Sequence, residues 1–189
     1  MPEVCFWKKQ PIILPIILDE GYNKNEWIFI HFERGMDVSR IGYIPSLPEW
    51  EREFIFYYPV KVRFSETDMY GHLNNTVPFI YFELARIEFF KEIGFMGDWL
   101  KPGNPFIPVV ADLQCDFLKQ VFFDENLRIY VKADKVGISS VDIHYMGKNE
   151  SGEICFTGRG TMVQISRETG KGAPWTDEMK NLLSNPGSR

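Results

Sequence analysis

The stretch RFSETDMYGHLNN, residues 63–75, places acidic and amide side chains between two apolar segments. Asp68 precedes an apolar run of helical character, and either Asn74 or Asn75 is suited to cap that helix. The first turn of a helix carries unpartnered backbone N–H groups and a partial positive charge, so it can hold a carbonyl oxygen. A carboxylate opposite that oxygen could attack the carbonyl carbon or deprotonate a water. Asp68 is therefore a candidate catalytic carboxylate, with a simple turn residue as the alternative.

The flanking segments predict one strand, one long helix and four more strands joined by tight turns. The strand covers about 57–65 and the helix about 76–93, and the later strands are given by the runs 104–120, 127–137, 139–149 and 153–166. Consecutive tight turns predict an antiparallel sheet, against which the single helix must pack. Gly158 and Gly160 predict a bulge in the last strand. His144 alternates with the apolar residues of its strand, which predicts a surface or interface position.

The helix is apolar on nearly all sides, which is typical of a helix buried within a curved sheet. Its polar stripe is predicted to consist of Tyr81, Glu88 and Glu92. Glu83 and Arg86 stand three residues apart, so we expect them to pair, either structurally or at an interface or active site.

Composition excludes several classes of protein. A length of 189 residues with 44% apolar residues suits one domain, and a net charge of −5 without a basic run argues against nucleic-acid binding. Cys5, Cys115 and Cys155 have no paired spacing, so we expect reduced thiols in a cytoplasmic protein. No His, Cys or Asp cluster has the spacing of metal ligands, so no metal is expected.

The first 50 residues differ from the rest and are interpreted as an extension of unclear role. They contain one predicted strand, EWIFIHF, and no helix of useful length; Met36 is an alternative native start. The apolar run PIILPIIL is too short to span a bilayer and lacks a cleavage signal, so neither membrane nor secretion is expected. A main domain is expected over 51–175, followed by a short helix and tail over 176–189.

The run VRFSETDMYGHLNNTVPFIYFELAR resembles the signature of the 4-hydroxybenzoyl-CoA thioesterase family of hotdog-fold proteins. In that pattern a D-x-x-G-H-x-N-N loop is followed by a helix that ends in E-x-A-R. The match covers about residues 57–176, and it implies an α+β hotdog fold in which a curved antiparallel sheet of about five strands wraps one central helix. It also implies hydrolysis of acyl-CoA thioesters, with Asp68 as the catalytic carboxylate and the backbone N–H of Asn75 or Thr76 as oxyanion donor.

The resemblance also bears on substrate contacts. We expect them from Tyr70, His72, Asn74 and Pro78, although Pro78 departs from the aromatic or polar residue expected there. His72 is expected to shape the loop or contact the ligand rather than act as base, and Glu66 is expected to be solvated. Because CoA carries phosphates, basic groups should line the groove, and Lys135 and Arg159 are candidates. CoA is part of the substrate, so no separate cofactor is expected.

Three alternatives stay open. The domain could sense acyl-CoA without hydrolysing it, or act as a hotdog dehydratase through His72 and Glu83. Another branch of hotdog thioesterases uses a glutamate within the helix, and Glu83, eight residues after Asn75, stands near that position.

The resembled family forms its site between subunits, which implies a homodimer or a tetramer built from two dimers. The acyl group, the choice between CoA and acyl-carrier protein, and the nucleophilic or general-base role of Asp68 are not determined by the sequence.

Overall fold

The computed structural model describes residues 38–186, which form a six-stranded antiparallel sheet and four α-helices. In chain order the elements are α1 (Leu47–Arg52), β1 (Phe56–Lys61), α2 (Val77–Glu92), α3 (Phe95–Trp99), β2 (Phe106–Val110), β3 (Gln114–Phe117), β4 (Asn126–Val136), β5 (Ser140–Asn149), β6 (Ile154–Ser166) and α4 (Asp177–Ser184). The predicted α+β architecture, one long helix against an antiparallel sheet, is confirmed. The predicted strand EWIFIHF and the alternative start at Met36 lie outside the described residues.

The sheet has the strand order β1-β4-β5-β6, and β2 and β3 lie one after the other along the free edge of β6. Val110 of β2 pairs with Met162, whereas Phe117 of β3 pairs with Phe156. The prediction of one continuous strand within 104–120 is therefore wrong, because the chain leaves the ladder between β2 and β3.

Gly158 and Gly160 serve close packing rather than the predicted bulge. A Cβ on Gly160 would lie 2.7 Å from Cδ1 of Leu113 and 2.8 Å from the carbonyl oxygen of Asp112, so the link between β2 and β3 crosses directly over this glycine. A Cβ on Gly158 would lie 2.4 Å from the ring of Phe82. The irregularity in β6 falls elsewhere, where the pairing with β5 shifts at Cys155.

The main core lies between α2 and one face of the sheet. Phe82, Ala85 and Phe89 are fully buried, and Phe82 stacks on Tyr145 of β5 with ring centroids 4.4 Å apart. A fully buried side chain of this size contributes about 1.5–3 kcal/mol relative to an exposed one, so this face holds the helix in place.

The opposite side of α2 is open, which corrects the expectation of a helix buried all round. Ile80 and Leu84 are 49% and 38% exposed, and Glu83 is exposed between them. Tyr81 was predicted to lie in the polar stripe, but it is buried. Its hydroxyl donates a hydrogen bond to the carboxylate of Glu66.

Residues 38–54, here called the cap, cover the other face of the sheet. Ile41, Ile44, Trp50 and Phe54 form a second apolar cluster with Met146 of β5. The six-residue α1 begins at the end of the first 50 residues and carries Trp50 into this cluster. Covering both faces makes β5 buried along most of its length.

The C-terminal element α4 lies in the segment predicted to be helical. Its N-cap is Thr176, whose hydroxyl oxygen accepts a hydrogen bond from the backbone N–H of Met179 at 3.1 Å. Among residues 38–186, every helix is too short or too polar to cross a bilayer.

Candidate active site

The loop between residues 66 and 75 is closed on itself by backbone hydrogen bonds. The N–H of Asp68 donates to the carbonyl of His72 at 2.8 Å, and the N–H of Gly71 donates to the carbonyl of Asp68 at 3.0 Å. Gly71 has φ +77°, a left-handed conformation that glycine adopts without strain. Leu73 ties the end of the loop to Val121 through a 2.7 Å hydrogen bond. The loop is thus a fixed turn, not a free connector.

Asp68 is half-buried and its carboxylate is oriented by the loop backbone. Its Oδ1 accepts hydrogen bonds from the N–H of Tyr70 at 2.8 Å and of His72 at 3.1 Å. Its Oδ2 accepts none from the residues that the structure describes. One oxygen therefore holds the carboxylate in place while the other is available to water or substrate.

The start of α2 distinguishes the two candidate oxyanion donors. Oδ1 of Asn74 accepts hydrogen bonds from the N–H of Thr76 at 3.0 Å and from its hydroxyl at 2.9 Å. The N–H of Val77 donates to the carbonyl of Asn74 at 2.9 Å. The N–H of Asn75 has no acceptor within residues 38–186, so it is the donor that remains open next to the helix. The N-cap of α2 is Thr76 and it has no side-chain cap, so the prediction of Asn74 or Asn75 as N-cap is wrong; the Asn74 side chain instead bonds to Thr76.

Glu66 is buried, which corrects the expectation of a solvated side chain. It is 6% exposed, and its carboxylate accepts hydrogen bonds from three groups of Arg63 and from the hydroxyl of Tyr81 at 2.7 Å. Burial raises the pKa of Glu66, but the hydrogen bonds from Arg63 and Tyr81 outweigh it and hold the pKa below its ordinary value. The sequence offered little sign of this pairing, apart from the i, i+3 spacing of Arg63 and Glu66.

The remaining loop residues form an exposed rim around Asp68. The His72 ring packs edge-on against Phe122, with centroids 5.0 Å apart, and Tyr70 is 42% exposed. Met69, which no motif singles out, is 88% exposed and follows Asp68 directly. Pro78 is buried in the first turn of α2, where a residue without an N–H costs no helical hydrogen bond.

Glu83 and Arg86 do not pair as predicted. Arg86 is 8% exposed and donates from Nη1 to the hydroxyl of Tyr145 at 2.9 Å, beneath the helix. Glu83 points outward and forms no ion pair or hydrogen bond with the described part of the chain. The i, i+3 spacing allows an ion pair, but Glu83 lies on the open side of α2 and is exposed to water.

The two candidate phosphate ligands differ in their surroundings. Arg159 binds Asp142 through Nη2 at 2.8 Å and Nε at 3.0 Å, and this carboxylate raises the pKa of Arg159. Lys135 is exposed and forms no ion pair within residues 38–186. Two surface grooves of about 340 and 530 Å³ lie elsewhere, and residues of the Asp68 loop line neither.

His144 lies beneath the cap, which corrects its predicted surface position. It is 1% exposed, and its Nδ1 accepts a hydrogen bond from the indole N–H of Trp50 at 2.8 Å. Its Nε2 is buried without a hydrogen-bond partner and lies 3.5 Å from Oδ2 of Asp142. Burial lowers the pKa of His144, although Asp134 and Asp142 act in the opposite direction.

The described cysteines and acids form no metal-binding group. No three His, Cys, Asp or Glu residues between positions 38 and 186 are placed to share a cation. Burial raises the pKa of Cys115 to about 12 and that of Cys155 to about 11. These thiols are therefore protonated and poorly nucleophilic near neutral pH.

Comparison with known proteins places this geometry in a family. A family model described as the Thioesterase-like superfamily matches residues 62–183. The uncharacterized protein YsmA of Bacillus subtilis (strain 168) is 53% identical over 135 residues, which cover 71% of this chain and 89% of YsmA.

Solved structures agree with this match. A thioesterase complexed with coenzyme A and Zn from Thermus thermophilus is 29% identical with a TM-score of 0.59, covering 72% of this chain and 97% of that one. A predicted thioesterase from Bacillus stearothermophilus is 27% identical with a TM-score of 0.59, covering 68% and 92%. Since the family model spans more than half of the residues, the chain belongs to the Thioesterase-like superfamily.

Proposed function

We propose that this protein hydrolyses acyl-CoA thioesters to the free acid and CoA, in the manner of the 4-hydroxybenzoyl-CoA thioesterase family that its loop resembles. The observation that carries the proposal is a carboxylate, that of Asp68, held by two backbone N–H groups just before the N-terminus of α2. The Thermus thermophilus relative, a thioesterase complexed with coenzyme A, supports CoA as the carrier.

In the proposed reaction the thioester oxygen accepts a hydrogen bond from the N–H of Asn75. The positive end of α2 stabilises the negative charge that grows on this oxygen. Thr76 is the poorer donor, because its N–H already bonds to Asn74.

Asp68 acts by one of two routes that give the same products. As a nucleophile, its oxygen bonds to the carbonyl carbon and the C–S bond breaks. CoA leaves as a thiolate, and water then cleaves the acyl anhydride. As a general base, Asp68 takes a proton from a water whose oxygen attacks the same carbon, and CoA leaves with that proton.

Substrate contacts are proposed for the rim of the loop. Tyr70, His72 and Asn74 lie in the same loop as Asp68, and Pro78 lies in the first turn of the helix that follows. Lys135 is the better candidate for a CoA phosphate, because Arg159 would have to give up its two-point contact with Asp142.

The test is a hydrolysis panel of aryl and alkyl acyl-CoAs with a thiol-reactive readout. Asp68→Asn should keep the fold by circular dichroism and lower kcat by about a hundredfold or more, judging from typical acid–base contributions. Asp98→Asn, which removes an exposed carboxylate from α3, is the matched control and should retain wild-type kcat. An Asp68→Asn protein with unchanged kcat would refute the assignment, and acyl-CoA binding without turnover by the wild type would make the protein a sensor.

A further inference from the structure

We propose that Glu66 is a positioning residue that fixes the Asp68 loop against the N-terminus of α2. This inference rests on the proposed function, because it is Asp68 and the N–H of Asn75 whose relative placement Glu66 would hold. Glu66 itself is buried and points away from the rim, so it is not assigned a direct contact with substrate.

The side chain of Glu66 links two elements. One oxygen, Oε1, accepts hydrogen bonds from Nε and Nη2 of Arg63 at 3.0 and 2.6 Å. The other, Oε2, accepts from the backbone N–H of Arg63 at 2.8 Å and from the hydroxyl of Tyr81 at 2.7 Å. Because Tyr81 lies in the second turn of α2, this carboxylate ties the start of the loop to the helix.

The backbone of Glu66 holds the end of the same loop. Its carbonyl accepts a hydrogen bond from the N–H of Asn74 at 2.8 Å, and Thr67 and Leu73 form an antiparallel bridge beside it. Asp68 lies inside the loop closed by these contacts, and Asn75 follows its last residue. Glu66 therefore contacts both ends of the loop and the helix that begins directly after the proposed oxyanion donor.

Stability alone gives little reason for this arrangement. Arg63 is 73% exposed, so its ion pair with Glu66 is screened by water and contributes little. Apolar side chains of similar volume often stabilise a buried position as well as an ion pair does, whereas a hydrogen-bonded carboxylate fixes direction and distance. A displacement of about 1 Å between reacting groups can lower a rate by about a hundredfold, so such a constraint matters to the reaction.

Removing the constraint should affect turnover more than binding. In Glu66→Gln one carboxylate oxygen becomes an NH₂ group, which cannot accept the hydrogen bonds that this oxygen receives in the wild type, and in Tyr81→Phe the bond to the helix is lost. We expect kcat to fall about tenfold to a hundredfold in Glu66→Gln, with KM within about threefold of wild type. Tyr81→Phe should show a smaller loss in the same direction. The double variant should be no worse than Glu66→Gln, since both changes break one network.

The controls are matched substitutions outside the network. Glu92→Gln alters an exposed carboxylate at the end of α2, and Tyr130→Phe removes a hydroxyl that bonds to no described residue. Both should keep wild-type kcat. The pH dependence of kcat separates positioning from proton transfer. If kcat of Glu66→Gln still falls at low pH with the wild-type midpoint, Glu66 acts by positioning. If that fall is lost, Glu66 is the base and the proposal is overturned.

Amide hydrogen exchange tests the same idea without turnover. The N–H groups of Asp68 and Asn74 should exchange at least about tenfold faster in Glu66→Gln, while those of β5 keep their wild-type rates. Wild-type exchange in the loop, or kcat within twofold of wild type, would overturn the proposal. Absence of turnover in the wild-type protein would instead count against the proposed function, and the exchange result would still decide the role of Glu66.

Discussion

Three carboxylates near the start of α2 occupy three different environments, which support different proposed roles. Glu66 is buried and accepts four hydrogen bonds, Asp68 is half-buried with one oxygen held by backbone, and Glu83 is exposed. Only Asp68 combines a fixed orientation with an oxygen that the described chain leaves available. Residue type alone did not separate these positions.

The Glu83→Gln substitution tests the rival assignment. Because Glu83 has no partner among the described residues, we expect the free energy of unfolding of the single chain to change by less than about 0.5 kcal/mol, typical of a surface site. An ion pair between Glu83 and Arg86 would instead have predicted that Glu83→Gln destabilises the protein. We also expect Glu83→Gln to retain at least about a tenth of wild-type kcat, because losing a general base usually lowers kcat by about a hundredfold.

Both variants should be assayed on the best acyl-CoA after circular dichroism. An inactive Glu83→Gln protein together with an active Asp68→Asn protein would invert the assignment and place this protein with the glutamate branch.

His144 makes stability depend on pH. In the unfolded chain its pKa is about 6.5, whereas burial lowers it in the folded protein. Below about pH 6.5 the unfolded state therefore binds more protons, and the free energy of unfolding falls until the pH passes the folded pKa. A protonated Nδ1 would also lose its hydrogen bond from Trp50. Urea denaturation at about pH 7.5 and about pH 5.5 should show this loss, up to about 1.4 kcal/mol per pH unit.

The matched variant is His144→Gln, which removes the titrating group and should flatten the pH dependence. An unchanged slope in His144→Gln would show that other groups are responsible.

At the scale of elements, the glycines of β6 lie in close contact with α2, with β3 and with the link between β2 and β3. Gly158→Ala would place a methyl group 2.4 Å from the Phe82 ring and 2.7 Å from the carbonyl oxygen of Gln114. We expect the free energy of unfolding to fall by about 1–3 kcal/mol, as overpacked cores do. Urea denaturation measures it, with Gly97→Ala as the control, because no atom lies within 4 Å of a Cβ at that helical glycine. Equal stability of the two variants would contradict the packing argument.

Periodicity predicted the elements better than it predicted their surroundings. Alternation in β4 and β5 and the apolar run of α2 were sufficient for their type and order, because these patterns reflect one buried face. The exposure of His144 and Glu66 was predicted wrongly because each is covered by a residue distant in sequence. Trp50 covers His144, and Tyr81 covers Glu66. The loop motif indicated Asp68, but only the structure distinguishes the N–H of Asn75 from that of Thr76.

At the scale of the whole molecule, the open side of α2 predicts self-association. Ile80 and Leu84 expose apolar surface, and the Asp68 rim is open to solvent in the single chain. We expect a homodimer by light scattering at micromolar concentration. Leu84→Asp should shift it towards monomer and lower activity, whereas Leu100→Asp, at a position 73% exposed in a loop, should not. A fully active wild-type monomer would contradict the prediction.

The cap has a consequence for how such dimers could associate further. Two proteins can associate by packing the outer faces of their sheets together. The two sheets then lie about 10 Å apart, and their side chains interdigitate. In this chain Ile44, Trp50 and Phe54 already occupy that layer over Met146. This part of the face is filled by side chains of the cap, so a second sheet cannot lie directly on β5 there. A tetramer built from two dimers would then have to meet through another surface or through the cap itself.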